Sequence, residues 1–119
     1  KQRCPADFVL LSGDDGTYVD FLSEGGHGVI SVSSHIIPAQ MVQWTKWSVE
    51  KNLGPAKDDI AKYKKVIDLL FVEANPIPVK KSMQLMKIIE TAELRLPLVE
   101  LEGENLQNLQ SEMKQRGLL

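Results

Sequence analysis

Adjacent carboxylates, two histidines, one cysteine, a tryptophan pair and a proline-rich loop are the residues of this chain whose types and spacing could do chemistry. Asp14 and Asp15 could bind a cation or divide acid and base roles, but adjacent carboxylates need further ligands to hold a metal. One of them is expected to cap a helix and the other to bond a loop. His27, between Gly26 and Gly28, could act as a general base; entering a strand, it is expected to hydrogen-bond the backbone instead. His35 has no partner at metal-ligand spacing, and two histidines with one distant cysteine do not make a zinc set, so no metal is expected. Cys4 has no activating neighbour beyond Lys1 and Arg3, which makes a reactive thiol the lesser reading. Trp44 and Trp47 fall three residues apart and could form a binding platform, although packing against helices or a subunit is the expected role. Lys62, Lys64, Lys65, Lys80 and Lys81 read as solvated faces. Asn75-Pro-Ile-Pro78 reads as a rigid corner that docks the last helices and could support the wall of a site.

The elements that must position these residues follow from hydrophobic pattern. Phe8-Val-Leu-Leu-Ser12 is a short apolar run and Gly28-Val-Ile-Ser-Val-Ser-Ser34 a β-branched one; both read as strands, at about 8–12 and 28–33. Between them a helix over Gly16 to Glu24, capped by Asp15 and stopped by Gly25-Gly26, completes a right-handed strand-helix-strand unit with parallel strands. Helices are then expected from Pro38 to about Asn52 and from Pro55 to about Glu73. The second of these places Asp58 and Asp59 in its first turn and Ile60, Tyr63, Val66, Ile67 and Leu70 on its apolar stripe. A third helix opens at Pro78 and runs to Glu90 or Thr91, Leu94-Arg-Leu-Pro-Leu98 is extended, and a last helix from about Glu104 to Arg116 stops at Gly117. No repeat or low-complexity tract interrupts this order.

Composition narrows the function. The 119 residues are 43% hydrophobic and 25% charged, with a net charge of -2, which leaves no basic surplus for nucleic acid. No apolar run approaches the roughly 18 to 20 residues of a membrane span. A single cysteine suits a reducing, cytoplasmic setting. The first residues carry neither an initiator methionine nor a signal-peptide core, and the chain is expected to begin in mid-protein. Two parallel strands do not make a stable sheet, whereas a (β/α)8 TIM barrel needs about 250 residues. The expected fold class is α/β, and the chain could be the closing part of such a barrel, its last two strand-helix units over residues 1–52, plus a C-terminal helical domain over 53–119, mostly α in sum.

Leu11-Ser-Gly-Asp-Asp15, Gly25-Gly-His-Gly-Val-Ile-Ser-Val32, Phe71-Val-Glu-Ala-Asn-Pro-Ile-Pro-Val-Lys80, Leu94-Arg-Leu-Pro-Leu98 and Gly117-Leu-Leu119 stand in one order across the chain. Together they resemble the C-terminal part of the dihydrodipicolinate synthase (4-hydroxy-tetrahydrodipicolinate synthase) family, class I pyruvate-dependent lyases. Ala74 and Glu100 depart from that pattern, standing where proline is frequent. The resemblance implies a barrel that condenses pyruvate with L-aspartate-4-semialdehyde in lysine and diaminopimelate biosynthesis, without a cofactor, in a homotetramer. A lysine Schiff base makes the pyruvate methyl group acidic enough to form an enamine. The family's lysine lies on the sixth strand, ahead of this chain, as do its tyrosine relay, threonine pair and substrate-binding arginine. Lys46, Lys51, Lys57, Lys62, Lys64, Lys65, Lys80, Lys81 and Lys87 all fall in the helical region, so no catalytic residue is expected here and the chain alone is expected to be inactive.

Two substrate-site positions carry over. Gly13 closes the seventh strand, and the main-chain carbonyl of Ile30 in the eighth faces pyruvate in the family. From the residues alone Gly13 reads as a turn glycine and Ile30 as core; the resemblance assigns both to pyruvate binding. A related lyase such as N-acetylneuraminate lyase, or a self-associating helical interaction module, are the alternative readings.

Overall fold

Leu11–Ser12 (β1) and Gly28–Val29 (β2) pair in parallel, Leu11 opposite Gly28 and Ser12 opposite Val29, in a computed structural model that describes residues 3–119. Tyr18–Ser23 (α1) crosses between them. A short 3-10 turn at Ser33–His35 leads into Pro38–Val49 (α2), Leu53–Leu69 (α3), Ile77–Leu85 (α4) and Gly103–Gln115 (α5). The chain is thus mostly helical with two parallel strands. No helix among the described residues is long and apolar enough to cross a membrane.

Both strands are shorter than their apolar runs. The ladder reaches from the His27 N–H on the Leu10 carbonyl to the Ile30 N–H on the Ser12 carbonyl, each 2.9 Å. Phe8, Val9 and Leu11, with Ile30 beyond β2, stay exposed, a composition suited to a sheet buried on both faces.

Several boundaries differ from the sequence reading, each for a physical reason. Helix α1 starts at Tyr18, and its cap is Thr17, which makes no side-chain cap bond; Asp14, not Asp15, reaches Thr17, accepting from its N–H and its hydroxyl. Asp15 bonds across the fold instead, where it meets more donors than a cap offers. Helix α3 starts two residues ahead of Pro55, because the first N–H groups of a helix have no intrahelical partner for a proline to remove. Asp58 and Asp59 therefore sit beyond the first turn, and α3 ends at Leu69 rather than near Glu73. Helix α4 ends at Leu85, since Lys87 turns to a φ of 60°. The expected extended stretch Leu94–Leu98 is broken by a turn over Arg95–Leu98, closed by the Leu98 N–H on the Arg95 carbonyl at 3.1 Å.

Trp44 is the centre of the core. It is fully buried, meets Tyr63 edge to face at 5.6 Å between ring centroids, and donates its Nε1–H to Asp59 at 2.9 Å. Asp59 thus spends its charge on packing α2 to α3 and on an ion pair with Lys62. The stripe of α3 faces inward as its spacing predicts, with Val66, Ile67 and Leu70 buried and Ile60 and Tyr63 packed beside them. Leu109 and Met113 of α5 close the other side.

Glu112 joins α3 to α5 from within this core. Only 2% of its side chain is exposed, and it pairs with Lys65 at 3.2 Å and Arg116 at 3.0 Å. Burial pushes its pKa up, but hydrogen bonds from Arg116 and Lys65, and their charges, outweigh burial and hold it below the usual carboxylate value. A depressed folded pKa gives stability that is present at neutral pH and lost as pH falls through that folded value. Acid should therefore lower the melting temperature of the native chain more steeply than that of Glu112→Gln, measured from pH 7 to pH 3. Parallel curves would show that the carboxylate adds nothing.

Two helices end on a lysine where glycine is the usual residue. Lys51 and Lys87 have φ of 58° and 60°, and each helix closes with a pair of reverse bonds, such as the Lys87 N–H on Gln84 and the Ile88 N–H on Met83, both 2.9 Å. A side chain in this left-handed conformation costs roughly 1 kcal/mol. Lys51→Gly and Lys87→Gly, both at exposed positions, should each raise unfolding free energy by about 0.5–1 kcal/mol in urea titrations.

Candidate functional site

Parallel strands carry the chain to one common end, so whatever follows β1 and β2 meets there. Gly13 follows β1 and Ile30 follows β2, and the structure brings both into one cavity of about 560 Å³, which Val32, His35, Asn75 and Lys80 also line. Ile30 is 73% exposed. None of the described residues buries it.

Gly13 has no conformational reason to be glycine, for its φ is not among the positive ones. Nor does it make room for a neighbour: a side-chain carbon added there would meet nothing within 4 Å. Gly26 shows the contrast, since a carbon there would stand 2.1 Å from the Phe21 ring. What a side chain at Gly13 would occupy is the cavity itself.

The second wall comes from Asn75 to Lys80. The Asn75–Pro76 peptide is cis, Pro76 caps α4, and Ile77, Pro78 and Val79 are all buried in its first turn. This corner docks α4 and, in doing so, sets Asn75 and Lys80 on the cavity. Lys80 is a correction to the reading of solvated lysine faces: it is partly buried, and its ammonium donates to the Glu93 main-chain carbonyl. Lys81 is no solvated face either, being only 16% exposed and paired with Glu100 at 2.8 Å. The available signal was positional, a lysine one turn into a helix whose preceding three residues are all apolar.

The remaining candidates have structural partners. His27 accepts the Leu10 N–H on Nδ1 at 2.9 Å, and its own N–H continues the ladder. His35 bonds the Val32 carbonyl through Nδ1 at 2.9 Å while lining the cavity. Trp44 packs rather than presenting a face, and Trp47 is half-buried against the same core. Cys4 is a free thiol of intermediate exposure. Asp15, 1% exposed, accepts from the Val32 N–H, the Ser33 N–H and the Ser33 hydroxyl on one oxygen. No group of three or more His, Cys, Asp or Glu placed to hold a metal occurs among the described residues.

The model of the dihydrodipicolinate synthetase family matches residues 1–116. The 4-hydroxy-tetrahydrodipicolinate synthase of Bdellovibrio bacteriovorus is 69% identical over 118 residues, which cover 99% of this chain and 40% of the relative. Dihydrodipicolinate synthase from Aquifex aeolicus superposes with a TM-score of 0.93 at 32% identity, covering 98% of this chain and 40% of that one. The chloride-inhibited enzyme of Acinetobacter baumannii, solved as a complex with pyruvate, superposes with a TM-score of 0.88 at 33% identity over 94% of this chain and 38% of that one. The chain spans about 40% of the length of the curated relatives it matches.

Proposed function

Because this chain belongs to the dihydrodipicolinate synthetase family, we propose that it supplies part of the pyruvate site of a 4-hydroxy-tetrahydrodipicolinate synthase. That enzyme condenses pyruvate with L-aspartate-4-semialdehyde through a lysine imine. In this reading residues 1–52 belong to the barrel and 53–119 to its helical domain, in a cytoplasmic homotetramer that works without a cofactor.

One observation carries the assignment of residues: Gly13 and Ile30 meet at one cavity at the ends of neighbouring parallel strands. Gly13 leaves the space that the bound keto acid fills. Ile30 offers its main-chain carbonyl, an acceptor for the hydroxyl that forms on the keto carbon when the lysine amine adds to it. Neither residue moves a proton or forms a bond to carbon. The imine-forming lysine belongs to sequence that the family carries ahead of these strands, so the 119 residues alone bind the keto acid incompletely and turn nothing over.

The exposed apolar residues in and just ahead of β1, Phe8, Val9 and Leu11, pack in the same reading against the rest of the barrel. Co-expression with the part of the Bdellovibrio bacteriovorus synthase that this chain does not cover tests it. The complex should consume both substrates together while neither half does so alone. A chain that forms a defined oligomer by itself, and ignores the added half, would favour an interaction module instead.

A further inference from the structure

The hydrogen-bond ladder between the strands stops just as it reaches the site. Its last bond is the Ile30 N–H on the Ser12 carbonyl, after which Gly13 and Ile30 lead into separate loops. Asp15 spans the gap between those loops. Its Oδ2 accepts from the Val32 N–H at 2.9 Å, the Ser33 N–H at 2.8 Å and the Ser33 hydroxyl at 3.0 Å. All three donors come from the segment that follows Ile30, and none from Asp15's own loop. Ser33, which supplies two of them, is fully buried.

We propose that Asp15 is a positioning residue that fixes the direction of the Ile30 carbonyl; this rests on the reading of that carbonyl as a pyruvate contact. The Ile30–Ser31 peptide, which carries that carbonyl, is flanked ahead by the Ile30 N–H on Ser12 and behind by the Val32 and Ser33 N–H groups on Asp15. Only Ser31 lies between the anchors. Its hydroxyl oxygen is engaged as well, accepting the Ser34 N–H at 2.9 Å. A carbonyl held in this way needs no reorganisation when a ligand arrives, which is how fixed dipoles contribute most to a site.

The charge of Asp15 matters as much as its shape. One oxygen serves three donors, and an ionised acceptor makes each of those bonds stronger than an amide would. Its Oδ1 is buried and accepts no bond among the described residues, so an asparagine would also place its NH2 group where these residues offer it no partner.

The test is Asp15→Asn in the protein joined with the rest of its barrel, read by amide hydrogen exchange, by the carbonyl 13C shift of Ile30 and by steady-state kinetics. Exchange at Val32 and Ser33 should quicken about tenfold and the pyruvate KM should rise about tenfold, the scale of losing charge-assisted bonds. The Ile30 shift should move with them. Ser33→Ala removes only the hydroxyl donor and should raise that KM roughly two- to threefold, which keeps the proposal testable if the first variant folds poorly. Unchanged exchange at both amides overturns the proposal. Faster exchange with an unmoved pyruvate KM overturns it too, because Asp15 would then brace a loop that the site does not use. A native protein that takes no pyruvate sinks the functional reading instead, and is told apart because the loss precedes any substitution while the amide exchange still reports on the Ile30 peptide.

Discussion

Gly13→Val should lower kcat/KM for condensation at least about 100-fold in the protein joined with the rest of its barrel, since misplacing a reactant by about 1 Å costs that much. Its stability should barely change. A side-chain carbon at Gly13 meets nothing within 4 Å among the described residues, and the residue does not need a positive φ, so a side chain there extends into the cavity beside Ile30. The measurement pairs kcat/KM with a thermal melt. Kinetics within threefold of the native protein would mean that the cavity does not hold the keto acid. Gly13→Ala should fall between the two, because it fills less of the same space.

Trp44→Ala should have the largest effect on folding, a loss of about 3–5 kcal/mol. The indole is fully buried between α2 and α3, stacks edge to face on Tyr63 and donates to Asp59. The substitution therefore opens a cavity and strands a carboxylate that keeps only Lys62. Trp44→Phe retains most of the ring and loses the donor, so it should cost less, about 1–2 kcal/mol. Urea unfolding followed by far-ultraviolet circular dichroism reads both. A loss below 1 kcal/mol for Trp44→Ala would place the centre of the core elsewhere.

What the sequence made legible and what it hid have physical causes. The apolar run to Ser12, the β-branched run from Gly28 and the intervening Gly25-Gly26 stop announce a strand-helix-strand unit, and the structure has it. The stripe of α3 was legible for the same reason, because a period of 3.6 residues repeats along Val66, Ile67 and Leu70. Gly13 and Ile30 could be named only through the family resemblance: locally one looks like a turn residue and the other like core.

Long-range bonds left no local trace. Asp15 precedes a helix and so reads as its cap, yet its donors lie 17 and 18 residues on; a rule that looks one turn ahead cannot see them. Lys80 reads as one charge in a charged face, and only the docking of α4 through buried Ile77, Pro78 and Val79 places it at the cavity wall. The left-handed positions of Lys51 and Lys87 were hidden because glycine is the signal for them and neither is glycine.

The measurement that bears most directly on the central claim is borohydride trapping with pyruvate followed by peptide mapping, on this chain alone and joined with the rest of its barrel. The account predicts no adduct on the isolated chain and, in the joined protein, a single labelled lysine outside residues 1–119. A label on any lysine within these residues, with Lys80 at the cavity the first to inspect, would contradict it.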